Sequence, residues 1–377
     1  VFRTISDQRF TSITCALLCA LLAITPALNA EETDEVFDIN DLAEPVVLPD
    51  NAPEIRQSWT LNLYFENDLF NNTDQQYTNG VRVSWISPDI LSFVDDAQLP
   101  IWIRRVNTYL TPFDPVPFDQ QQAVSRRLIF SLGQKMFTPE NRLLTEVDPN
   151  DRPYAGWLYA GMGYHTRSQH KMNSFEVNLG VVGPAALAKE AQDLVHDLRG
   201  FDRFDGWDNQ LKNEPGIQLV YEHKNRIART SLFPGMEFDA IVHAGGSLGN
   251  VATYVNTGGQ IRLGKNLPSD LGTSALRAGG DSSVPGFGDP RFDNQWSVHG
   301  FMSLDGRFVV RDIFLDGNTW RDSHSVDKRH TFAEASFGLA GTYERWKLSY
   351  ARVYRTKQFR TQRNSHNFGS IALSYSL

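Results

Sequence analysis

The 377-residue chain carries 36 lysines and arginines against 44 aspartates and glutamates, a formal net charge of −8, with 41% hydrophobic and 12% aromatic residues. Mean hydropathy is −0.36, and beyond residue 30 no stretch approaches the roughly 18 consecutive apolar residues of a spanning helix. That excludes a helical membrane protein and leaves open a β-barrel, whose alternating strands average to a polar composition. The acidic balance offers no electrostatic reason to bind nucleic acid, so that class is set aside.

In chain order, residues 1–30 have the layout of a secretory signal peptide. Arg3 and Arg9 precede the apolar run Ile13 to Ile24, and small residues follow before Glu31-Glu32. Val1 is read as a non-AUG start, and cleavage is expected after Ala30. Both cysteines, Cys15 and Cys19, fall inside this segment, so the exported protein is expected to contain no thiol and no disulfide. Residues 31–55 are acidic and contain proline without any period, which predicts a flexible N-terminal arm.

From about residue 56 the dominant signal is alternation. In Ser58 to Glu66 the apolar Trp59, Leu61, Leu63 and Phe65 alternate with mostly polar neighbours, a period of two. Similar segments recur at about 79–87, 126–136, 154–166, 173–182, 215–225, 233–245, 252–264, 295–314, 330–343, 345–356 and 366–377. Most are as long as the roughly nine to eleven residues of a tilted spanning strand, against about five to six in soluble sandwiches. Glu176 and Asn178, Gln218 and Glu222, and Gln260 and Arg262 are expected to face inward.

The fold class is therefore all-β, a twelve-stranded antiparallel transmembrane β-barrel over residues 56–377 of an outer-membrane protein. Aromatics near strand ends (Trp85, Tyr154, Trp157, Tyr159, Tyr343, Trp346, Tyr350, Tyr354) fit interfacial girdles. The alternating Ile371, Leu373, Tyr375 and Leu377 are similar to the C-terminal signal of such barrels, with Leu in place of the usual final aromatic. With both ends inside, loops 68–78, 137–153 and 183–214 are extracellular. The connections on the other side are mostly short, except the proline-bearing Ser87 to Ala123.

Two extracellular segments carry candidate chemistry. Glu66, Asn67, Asp68, Thr73, Asp74, Gln75, Gln76, Thr78 and Asn79 crowd oxygen-bearing side chains around the first hairpin. That composition suits a hard cation such as calcium, which takes six to eight oxygen ligands, and equally suits an ordinary turn. In Ala185 to Arg199, Leu187, Ala191, Leu194, Val195 and Leu198 recur at helical spacing between Gly183-Pro184 and Gly200. Gln192 and His196, four apart, share a face away from that stripe.

The ordered set Glu66-Asn67-Asp68, Tyr77-Thr78-Asn79-Gly80, Gly133-Gln134, Asp151-Arg152-Pro153-Tyr154-Ala155-Gly156, Gly180-Val181-Val182-Gly183-Pro184 and Gln192-x-x-x-His196, with Trp207 beyond, closely resembles the lipid A 3′-O-deacylase family of outer-membrane enzymes. The resemblance runs from about residue 57 to the C-terminus. It implies a site between the outer wall and the loop helix, calcium dependence, and hydrolysis of the ester at the 3′ position of lipid A. The partners it implies are lipopolysaccharide and outer-leaflet lipids, and a monomer is expected. Carried over, the family's essential pair falls on Asn67 and Asp68, its threonine on Thr78, and its helical glutamine and histidine on Gln192 and His196. A loop lysine of the family has Arg142 as its nearest candidate.

The residues suit that chemistry. Without cysteine the nucleophile is a hydroxyl or a water, and an imidazole is the side chain suited to deprotonate water near neutral pH. Calcium held by Asp68 and Asn67 would stabilise the oxyanion, leaving Thr78 and Gln192 to position substrate, water or metal. Gly245-Gly246-Ser247-Leu248-Gly249 matches a nucleophile elbow, but a strand is expected after it rather than a helix, so Ser247 is assigned to a hairpin turn. Gly280-Asp281-Ser282 is read as a chance match. No histidine has serine two positions on, so the pair used by outer-membrane phospholipase A is lacking. The remaining alternative is a porin-like or structural barrel without activity.

Overall fold

The computed structural model describes residues 59–68, 76–90, 93, 100–110, 125–273, 284–286, 289 and 295–377. The expected signal peptide, the acidic arm and Gly280-Asp281-Ser282 lie outside these residues. The larger of two units spans residues 53–89 and 116–377 and contains twelve strands. They are β1 (Thr60–Asn67), β2 (Gln76–Ile86), β3 (Ser125–Thr138), β4 (Ala155–Arg167), β5 (Lys171–Val182), β6 (Glu214–Phe233), β7 (Met236–Gly249), β8 (Ala252–Lys265), β9 (Ser297–Asp312), β10 (Thr331–Tyr343), β11 (Trp346–Arg355) and β12 (His366–Ser376). Each pairs with its chain neighbours, and β1 closes on β12 with Thr60 opposite Ser376. Closure leaves no unpaired edge, the condition for backbone to cross hydrocarbon.

The alternation sorts side chains to the two faces as expected. Leu179, Ile217, Leu248, Val255 and Leu304 are exposed on the wall, whereas their polar neighbours turn into the lumen and pair there. Arg82 grips Glu176 with two bonds of 2.9 and 3.0 Å, and His243 Nε2 lies 2.8 Å from Asp305.

A second long connection of the inner rim joins β8 to β9, where short connections were expected outside Ser87 to Ala123, and its described residues 266–273 reach into the lumen, with Leu271, Gly272 and Thr273 lining the cavity. Its fully buried Asp270 accepts from Arg262 and Lys347, each at 2.5 Å. Arg226 donates to the Asp270 carbonyl, and Arg167 to the carbonyls of Ser269 and Val284. Inward-facing charge thus finds partners on a plug as well as across the wall.

Three details differ from expectation. Tyr154, Trp157 and Tyr159 are buried rather than in a girdle, with Trp157 stacked on Tyr159 at 4.2 Å. The β6–β7 hairpin extends to a turn at Gly235 (φ 81°), beyond the predicted strand ends. Ser247 lies within β7 opposite Tyr254, and its hydroxyl donates to Ala252 O at 2.9 Å. A strand follows, so no elbow exists.

The smaller unit includes residues 90–115 of the Ser87 to Ala123 excursion and contains α1 (Ile101–Leu110). The Pro100 carbonyl starts this helix by accepting from Ile103 and Arg104. Asn107 ties it to the Phe93 carbonyl at 2.5 Å.

Candidate active site

Strand parity fixes which side of the wall each site residue occupies. Glu66, Tyr77, Lys135, Phe137 and Trp157 line the luminal cavity, so their neighbours Asn67, Met136 and Gly156 face outward. Register aligns Asn67 with Asn79, Asn79 with Met136, and Met136 with Gly156, at the rim assigned to the cell exterior. Two strand spacings separate Asn67 from Met136, about 10 Å of wall. Register slips by one residue between Tyr77 and Asn79. The resulting bulge at Thr78 re-aims its side chain, and its hydroxyl lies 2.7 Å from that of Thr138. Asn67 and Asp68 end β1 beside it, both buried, Asp68 completely.

The other half of the site is α2 (Ala188–Arg199), preceded by a 3₁₀ turn at Pro184–Ala186. Gly183 begins the turn at φ 100°, and Leu187 and Gly200 bracket the helix in left-handed conformations. The buried residues of α2 are Ala188, Gln192 and His196, one face at spacing i, i+4, i+8. Ala188 packs with Met136, Tyr154, Phe204 and Trp207. Gly156 permits this approach, since a Cβ there would lie 2.5 Å from that of Ala188. Gln134, also outward, donates to the Ala186 carbonyl at 2.6 Å. The helix therefore lies against the outer surface of β3 and β4, and the row of the wall runs from it to Thr78 and Asn67.

Both polar residues on this face are fixed. Gln192 Oε1 accepts from the indole of Trp207 at 2.7 Å, which sets the acceptor end of the amide. His196 Nδ1 lies 2.6 Å from the Asp202 carbonyl oxygen. A carbonyl only accepts, so Nδ1 carries the proton and Nε2 holds the lone pair in the neutral ring. Phe201 and Phe204 meet the ring edge-on at 5.9 and 5.7 Å. On the flank facing away, Arg203 pairs with Asp197 and sits 3.8 Å from Asp193. The Arg203 hydrogen bond holds the Asp197 carboxyl below its ordinary value, whereas burial raises that of Asp193.

Asp151 joins the loops around this row. Its carboxylate accepts from Glu140 N at 2.6 Å, Arg152 N at 2.8 Å and Gln76 Nε2 at 3.3 Å. Gln76 has φ 69° and stands two residues before Thr78. Arg152 is buried with its guanidinium 4.5 Å over the Phe137 ring, and burial lowers its pKa to about 10. Arg142 is exposed rather than part of the wall row. It pairs at 3.1 Å with the carboxylate of Asp202, the residue whose carbonyl holds His196, and its own carbonyl accepts the Asp205 amide. Thr138 and Asp202 were not singled out from the sequence. Thr138 lies just past the predicted strand end, and a backbone carbonyl leaves no side-chain signal.

Asn67, Asp68 and Thr78 offer only oxygen for ligation through carboxylate, amide carbonyl and hydroxyl, which fits calcium in donor type. Among the described residues no group of three or more His, Cys, Asp or Glu is placed to hold a metal. A full shell there would need further oxygens from backbone, water or the hairpin tip.

Fold and site together define an outer-membrane β-barrel with a buried polar face trapped between its outer wall and a loop helix. Residues 16–377 match the model of the family described as outer membrane protein LpxR, and the chain belongs to that family. Its fold is similar to that of LpxR from Salmonella typhimurium at 16% identity, with TM-score 0.65, covering 84% of this chain and 99% of that one. Weaker likenesses are the β domain of the Bordetella autotransporter BrkA (9% identity, TM-score 0.38, 84% and 98% covered) and the translocator domain of the autotransporter NalP from Neisseria meningitidis (8%, 0.33, 84% and 87%). No curated protein matches by sequence.

Proposed function

We propose that this protein is a lipid A deacylase that hydrolyses the ester holding the 3′-O-linked acyl chain, with His196 as general base and calcium as cofactor. Membership of the LpxR family supports the coarser part, a lipid A deacylase of the outer membrane. The observation that carries the finer part is the bond between His196 Nδ1 and the Asp202 carbonyl. It gives the imidazole on the wall-facing side of α2 a single tautomer with a basic Nε2.

In the proposed reaction a water loses its proton to His196 Nε2 as its oxygen adds to the ester carbonyl carbon. The tetrahedral centre then collapses, the bond to the 3′ oxygen breaks, and the proton on Nε2 passes to that departing oxygen. A fatty acid and a free 3′ hydroxyl result. Gln192, held by Trp207, orients the water or substrate from α2, and Thr78 does so from β2. Asp68 and Asn67 would hold calcium, which when bound supplies positive charge for the developing oxyanion.

The outward-facing row at the barrel rim supports a membrane-embedded substrate, since residues on that side of the wall meet acyl esters without a diffusible intermediate. Mass spectrometry of lipid A from cells with and without the protein tests the reading. Loss of one 3′-linked acyl group only in cells that carry it is expected, and identical spectra would reject it.

A further inference from the structure

Helix α2 presents three faces, of which the wall contact uses one. At about 100° per residue, Ala188, Gln192 and His196 centre one face. Leu187, Leu194 and Leu198 centre a second, roughly 140° away. Glu190, Asp193 and Asp197 make the third, where Arg203 adds its pairs with Asp193 and Asp197. An amphipathic helix ordinarily buries its apolar stripe. Here the buried face carries the glutamine and histidine, while Leu187 is 41% exposed, Leu198 64% and Phe201 just beyond 39%.

The stripe continues the lipid-facing wall. Leu179 on β5 and Ile217 on β6 are exposed on the strands that flank this connection, and β5 ends at Val182, five residues before Leu187. Exposed apolar side chains thus occur both on the strands that bound this connection and on the helix within it. The acidic face of the helix lies on its other side.

We propose that the Leu187–Leu194–Leu198 flank of α2 is seated in the hydrocarbon of the outer leaflet, with lipid acyl chains as its occupant. The acidic flank with Arg203 faces water. The helix then lies along the interface like a monotopic amphipathic helix, and its depth sets the catalytic face level with the acyl region. This rests on the outer-membrane placement and not on the hydrolytic reading.

Site-directed spin labelling tests it in the full chain reconstituted into vesicles of lipopolysaccharide and phospholipid, with Cys15 and Cys19 replaced by alanine. Labels at Leu194→Cys and Leu198→Cys are compared with one at Asp197→Cys, each variant first shown to retain a heat-modifiable barrel. Collision with oxygen should exceed collision with a water-soluble nickel chelate several-fold at the leucine positions, and the order should reverse at Asp197. Nickel access at the leucine sites equal to that at Asp197 would overturn the proposal, because the flank would then be in water. Low access to both reagents would also overturn it, because protein, such as a second copy of the chain, would cover the flank. Loss of the hydrolytic reading would leave these ratios unchanged.

Discussion

A single hydrogen bond defines what His196 can do. With Nδ1 held by the Asp202 carbonyl, Nε2 is the proton acceptor, and His196→Ala should lower kcat by about 10²- to 10⁴-fold, the usual contribution of a general base. The barrel should remain heat-modifiable. Trp207→Phe keeps an aromatic ring in the cluster but removes the donor to Gln192, a loss of about 1 kcal/mol, together with part of the buried indole volume. Activity should fall roughly five- to tenfold, with the same variant unfolding close to the parent. An unchanged rate would show that the Gln192 amide needs no such restraint. At this scale the sequence was legible in pattern and silent in contact. Asn67, Asp68, Thr78, Gln192 and His196 stand out through their order along the chain, but the Asp202 carbonyl and Thr138 hydroxyl act through proximity that only folding creates.

Secondary elements were the most readable level for strands and the least for α2. Period-two alternation gave all twelve strands, every one but β6 to within a few residues, because each strand is wetted on one face and apolar on the other. The β6–β7 hairpin ran longer because its exposed end carries no burial signal to mark a limit. For α2 the spacing revealed a stripe but not which way it turns, since the wall accepts the small Ala188 beside Gly156 and leaves Leu187 and Leu198 exposed, with Leu194 partly buried. Gly156→Val should therefore push α2 off the wall and abolish most activity while the strands stay paired. Proteolysis confined to residues 184–213 in a still-folded barrel would check this.

Acid should loosen the other flank of α2. The Asp197 carboxyl is depressed first by its Arg203 hydrogen bond, so the pair stabilises above the unfolded carboxyl value, about 4, and is lost as pH falls through the lower folded value. Being exposed, it contributes little. Asp193 has the opposite sign, because its raised value relieves a burial cost on protonation. Hydrogen-exchange protection factors of amides 200–204, corrected for the intrinsic rate at each pH, should accordingly stay flat from neutrality and fall only below about pH 4.

For the whole molecule, the alternation gave the barrel but not its filling. The connection 266–296 reads in sequence as a Gly- and Pro-bearing loop, and the anchoring of its described residues depends on Asp270 meeting Arg262 of the strand just before it and Lys347 of the distant β11. Removing that carboxylate in Asp270→Asn takes a buried charge partner from Lys347 and leaves Arg262 to its pair with Asp239, a cost of about 3–5 kcal/mol, visible as a lowered temperature for loss of the heat-modifiable form. The plug also argues against the porin-like reading, and planar-bilayer recordings of the parent should show no steady conductance.

The most direct measurement is fatty-acid release from lipid A by the purified, reconstituted protein and its His196→Ala and Asp68→Ala variants, with calcium or with a chelator. Release by the parent alone, and only with calcium, is the predicted result. Undiminished hydrolysis by both variants would contradict a base on α2 acting with an ion at the end of β1.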